Sequence, residues 1–405
     1  VSASGAENYV DSACTAPVKA TDFPGGSGTE EDPYQIGSVK DWTLFTFRMR
    51  QEHIRYVSAC YELTADLDFT DVPASATMLA ATFSGTMDGN GHVIRNLEAR
   101  SGATSEGNGL FRQVVDGGVV KNLHLENVNI AARQVGGIVG LLQDSTLSNC
   151  TFSGELTSGS LSHYDPDRGG LVWRAENSVI TDCRSYAQLP KQLGAEYEGY
   201  TGGVVAEADN SRLERVYNFA DVDGGGGIAA RLTGNATVSQ AFNYGKISGA
   251  GIVAQVTLAD DGGVFTFDGC VNYGGATSGG IMGSITSGSA VLTNCVNCGA
   301  VRGDTFGRIG GLIGQIDTIE DVTIKNCANT GSLSFGQLQS GAYAGNVVGY
   351  ISKSATLRVD NFYGTAYPTA GGSSDYRHFG GLFGEYEGRS NPVTDSFSNC
   401  FIKKS

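Results

Sequence analysis

Two stretches concentrate the side chains that could do chemistry together: SGSLSHYDPDRGG (158–170) and QLPKQLGAEYEGYTGG (188–203). Asp165 and Asp167 in the first face Glu196 and Glu198 in the second as candidate carboxylate pairs. A glycoside hydrolase needs such a pair at about 5–10 Å across a sugar. Tyr164, Tyr197 and Tyr200, with Asp167 and Arg168, suit sugar recognition instead. Rings cover the apolar C–H faces of a sugar while charged groups hydrogen-bond its hydroxyls. A lyase acting on acidic polysaccharide needs cations or calcium, and only Arg168 and Lys191 stand near, so lyase is the weaker enzyme. A third stretch, GTAYPTAGGSSDYRHFGG (364–381), adds Tyr376, Arg377 and His378. Against all of these stands the plain alternative that long exposed loops are polar anyway.

Metal and cofactor chemistry find less support. Asp66 and Asp68 in ADLDF read as turn residues rather than calcium ligands. His92 reads as a turn residue, and the C-x-x-C of Cys295 and Cys298 as part of a repeat. Ser-His-Asp order, HExxH and dinucleotide fingerprints are all missing, so neither a metal nor a cofactor is expected.

The 405-residue chain carries a net charge of −15, which disfavours nucleic acid and anionic membrane as partners. Its 59 glycines are about twice the usual share. No apolar run approaches the length of a membrane span, and the start VSASGAENYV carries no signal peptide. The expected setting is secreted or cell-surface, with signal and anchor lying outside this sequence.

What positions any site is a repeat. A tetrad ending in cysteine recurs as LSNC (147–150), ITDC (180–183), FDGC (267–270), LTNC (292–295), IKNC (324–327) and FSNC (397–400). LERV (213–216), VSQA (238–241) and VDNF (359–362) are degenerate copies in the same phase, at spacings of 25 to 38 residues. Before most copies comes a glycine pair with a short apolar strand, such as GGIVG (136–140), GGLVW (169–173) and GGLIG (310–314), with NGLF (108–111) as founder. Helical solenoids need two helices per repeat, and propeller blades need four strands. Neither fits, and the pattern predicts an all-β, single-stranded parallel β-helix of about ten coils, rising about 4.8 Å each.

The cysteine slot should then face inward as a reduced ladder, since stacked neighbours are badly placed for a disulfide. Cys14 and Cys60, outside the ladder, are the pair open to one. Asn218, Asn243, Asn272, Asn297 and Asn329, two residues past the slot, form a second column. It is expected to stack amides and to use the asparagine tolerance for left-handed backbone. SVKDWTLFTFRMRQ (38–51), with Ser38 and Asp41 as a capping box, is expected to be a helix closing the N-terminal end. The organisation is thus an extension over 1–23, a cap over 24–75 and a repeat domain over 76–405. FIKKS ends directly after a slot, leaving residues 385–396 to fold back or the natural chain to continue.

The set GSGTEEDPYQI (26–36), YELTADLDF (61–69), FSGTMDGNGHVIRNL (83–97) and the recurring glycine-pair units resembles the GLUG-motif repeat family. That resemblance implies β-helical modules of bacterial secreted and surface proteins. Insertions in a stacked coil fall at corners, so the two long stretches should share one edge, with 364–381 about five coils, or roughly 24 Å, further on. Three readings remain: an adhesin-like module binding glycan or a host or matrix partner along its flank, a carbohydrate-active enzyme, and a spacer of a larger surface protein.

Overall fold

A computed structural model describes residues 23–50, 54–74, 79–100, 107–157, 167–190, 199–257, 263–304, 307–318, 320–337, 341–352, 356–371, 377–386 and 395–403. It is the expected parallel β-helix: every strand pairing recorded between coils is parallel.

Apolar residues three before the slot make one unbroken inward column. Tyr34 pairs with Tyr61, Tyr61 with Met87, Met87 with Val120 and Val120 with Leu147. The register then passes without a slip through Ile180, Leu213, Val238, Phe267, Leu292, Ile324 and Val359 to Phe397. The ladder therefore starts several coils earlier than the cysteine tetrads do. Val120 with Leu123 is an overlooked copy. Ile94 with Leu97 mimics the tetrad but lies one face further round, with Ile94 beside Leu125. Cys150, Cys183, Val216, Ala241, Cys270 and Cys295 are all 0% exposed in the slot itself, and the cysteines are free thiols. Burial pushes the Cys150 thiol well up, so it stays protonated and inert. Cys14 lies outside the described residues, so its pairing with Cys60 does too.

Glycine pairs begin the opposite face, an 11-stranded sheet running from Ala80–Phe83 to Phe383–Tyr386. Steric crowding dictates the residue type. A Cβ on Gly203 would lie 2.2 Å from the Gly227 oxygen and 2.4 Å from the Asn218 Cγ. Gly203, Gly227, Gly251, Gly280 and Gly311 are thus the sockets for the five asparagines of the amide column, while Gly137 and Gly170 face Phe152 and Ser185 in the same place.

The cap forms as its residues require. Ser38 Oγ donates to Asp41 at 2.7 Å and accepts the Asp41 amide at 3.2 Å, starting α1 (Val39–Arg50). Trp42, Phe45 and Met49 are at most 1% exposed on its inner face. Phe45 packs edge-on against Tyr61 at 4.8 Å, so the cap continues the solenoid core. The cap segment's own strands, Tyr34–Ile36 and Cys60–Leu63, already belong to the main sheet.

Candidate functional site

The described strands that flank the two insertions lie side by side. Strand Thr151–Thr157 precedes 158–166 and Arg184–Gln188 precedes 191–198, and both run in register with their neighbours. They re-enter through Asp167–Gly169 and Thr201–Gly202, which also pair. Arg377–Phe379 re-enters from the third insertion in the same column, six coil steps beyond Gly202 rather than five, or about 29 Å.

The proposed side chains fare differently there. Tyr164, Asp165, Glu196, Tyr197 and Glu198 lie outside the described residues, as do His163, Lys191 and Tyr376. Asp167 is engaged, its Oδ1 accepting the Tyr200 amide at 2.8 Å. Tyr200 is 41% exposed, but the Arg231 guanidinium covers one ring face at 4.8 Å. Arg168 corrects the expectation of a ligand-contacting cation: it is 0% exposed and donates from Nη1 to the Pro190 carbonyl. Its guanidinium pins the foot of the second insertion to the coil wall. Asp66 is likewise committed, accepting from Arg95 at 2.8 Å and lying 3.1 Å from His92 Nδ1. Asp68, held by Thr70 and Asn96, has its carboxyl lowered to about 2. These are turn anchors, as expected of them.

The asparagine column is a buried ladder. Asn218, Asn243, Asn272, Asn297 and Asn329 are all 0% exposed, and each donates at 2.8 Å to the next. None of them has the left-handed backbone anticipated. That conformation belongs to the residue just before the slot: Asn122, Asn149, Asp182, Arg215, Gln240, Asn294, Asn326, Asn361 and Asn399 have φ between 49° and 58°. A buried row of amides offers nothing to a sugar.

One residue past Ser185 and past the ladder asparagines Asn218, Asn243 and Asn272, however, the chain puts an aromatic side chain into solvent. Tyr186, Phe219, Tyr244 and Tyr273 are 42%, 38%, 45% and 49% exposed. Their rings stack coil on coil at 4.6, 4.9 and 5.0 Å, with interplanar angles of 6°, 2° and 11°. The inner faces are thereby covered, so the row presents edges, with an outward face at each end. On the preceding coil Tyr186 is in register with Ser153, so the stack of rings begins at Tyr186. The signal lay in YNFA, FNYG and VNYG, where an aromatic follows the asparagine each time.

An open groove of about 820 Å³ runs beside this row, lined by Glu155, Tyr186, Gln188, Phe219, Asp221 and Lys246 among others. The foot of the 188–203 insertion, Gln188 to Pro190, forms part of its wall.

Fold and repeat together define a parallel β-solenoid built from one recurring glycine-pair coil. Residues 131–157, one full coil, match the family description "the GLUG motif", which supports a GLUG-repeat protein. The chain is similar to halomucin of Haloquadratum walsbyi (strain DSM 16790 / HBSQ001), at 32% identity over 149 residues. That similarity covers 33% of this chain and 2% of halomucin's length. A crystal structure of a Bacteroides ovatus protein, provisionally named an immunoglobulin A1 protease, overlaps at a TM-score of 0.32 and 18% identity. The overlap covers 94% of this chain and 87% of that one.

Proposed function

We propose that this chain is an extracellular module that binds carbohydrate along its flank. The observation that carries this reading is the row Tyr186–Phe219–Tyr244–Tyr273, left in solvent beside a polar groove. Soluble proteins bury large rings unless something meets them, and a contiguous exposed aromatic patch marks a contact surface. Rings next to carboxylates and amides match the two-sided chemistry of a sugar, which has apolar C–H faces and a rim of hydroxyls. Similarity to a protein named as a mucin supports the extracellular setting.

A glycan array tests the reading. The intact protein is expected to retain a defined set of neutral glycans. Tyr186→Ala is expected to weaken binding about tenfold, the equivalent of about 1.4 kcal/mol. Its melting temperature should stay close to that of the parent, since the ring lies outside the core. Absence of retention on every glycan of the array, with the protein folded, would overturn the proposal.

A further inference from the structure

The groove beside the aromatic row does not end at Glu155. A second hollow of about 190 Å³ also uses Glu155 and extends to Asn129 and Glu98. A third, of about 510 Å³, shares Glu98 and Asn129 and reaches Phe69 and Pro73. Because each hollow shares lining residues with the next, the three form one trough along the solenoid axis.

Its floor is a register column. Glu98 pairs with Asn129, Asn129 with Glu155, and Glu155 with Gln188. The bridges from Leu189 to Val222 and from Val222 to Ile247 carry the same phase to Asp221 and Lys246. Six successive coils therefore each place one polar side chain in the column, over about 24 Å at 4.8 Å per step, with Asn129 and Asp221 each accepting the backbone amide of the next member. Two residues earlier in three of these coils stand the exposed rings Tyr186, Phe219 and Tyr244, which make an apolar border along half the length.

Building on the carbohydrate reading above, we infer that the ligand is a long, linear, uncharged polysaccharide lying parallel to the solenoid axis, with one sugar unit per coil. The coil rise is close to the length of one unit in an extended glycan, so the polar column meets successive hydroxyls in phase. Charge decides the class. Among the described lining residues, Glu98, Glu155 and Asp221 on the floor and Asp71 and Asp223 beside it face two cations, Lys246 and Arg100. Along a concave, open trough this excess repels uronate and sulfate chains, most strongly at low salt.

The test is calorimetric titration with gluco-, manno- and xylo-oligosaccharides of increasing length, alongside polygalacturonate at low and moderate salt. Affinity for one neutral series should rise stepwise up to about six units, the span of the column, and polygalacturonate should not bind. Gln188→Ala should weaken the longest neutral chain several-fold. Glu155→Gln with Asp221→Asn should admit polygalacturonate. A disaccharide binding as tightly as a hexasaccharide would overturn the trough while leaving the carbohydrate reading intact. Tighter binding of polygalacturonate than of any neutral chain would overturn the charge argument. Failure of every probe to bind would remove both.

Discussion

The asparagine ladder shows why single positions in this fold tolerate so little. Asn272 sits in a dry column where its amide donates to Gly274 O at 3.0 Å and to Asn297 at 2.8 Å, while accepting from Asn243 at 2.8 Å. Removing it leaves buried donors and acceptors without partners, at about 1–3 kcal/mol for each. Asn272→Ala is therefore expected to destabilise by about 2–4 kcal/mol in urea unfolding. Asn272→Asp should not restore the loss, because an ionised carboxylate has no donor for the Asn297 oxygen. The coil at Asn346 shows the constraint from the other side. There asparagine replaces the second glycine of the pair and Gly364 takes the ladder place. Asn329 then donates across to Asn346 at 3.0 Å, so the amide and its socket have exchanged walls.

At the scale of the element, the short strands hold together through what lies between them. From the Val120 coil onward, each coil turns just before the slot through one residue with positive φ. Asparagine suits it because its amide reaches the same column on the neighbouring coil, as from Asn149 to Asn122 at 2.8 Å and from Asn361 to Asn326 at 2.8 Å. Gln240, with φ of 49°, occupies this position in the degenerate copy VSQA. A longer side chain pays more for the left-handed region than asparagine does. Gln240→Asn should thus stabilise by about 0.5–1 kcal/mol, read as a higher urea midpoint. No change in midpoint would show that the turn is set by its neighbours alone.

Across the whole molecule the two ends differ. Stacked coils contact only adjacent coils, so a solenoid frays from exposed ends unless something covers its core. At the N-terminal end α1 does so, with Phe45 among Trp42, Tyr61, Phe83 and Phe111 at 4.8–6.1 Å. Phe45→Ala is expected to cost about 3–5 kcal/mol, read from thermal or urea unfolding. It should also raise binding of a hydrophobic dye at the loosened end. At the last described coil Phe397 is 45% exposed, in a column whose earlier members are almost fully buried.

How much of this was legible can be judged from particular residues. Spacing alone placed Cys150, Cys183 and Cys327 in one inward column, because a side chain that must fit the same gap on every coil leaves a periodic trace. The capping box at Ser38 and Asp41 was readable for a similar reason, since its bonds span only three residues. Arg168 was misjudged: a charged residue in a polar stretch reads as exposed, and only the neighbouring coil reveals its burial and its bond to Pro190. The aromatic row and the trough were overlooked for the converse reason. Tyr186, Phe219 and Tyr244 are 25 to 33 residues apart in the chain, and nothing local marks them as neighbours. The repeat was determined by sequence because it is a one-dimensional periodicity of side-chain size. The surface was decided by tertiary structure, because register between coils sets which residues meet across that period.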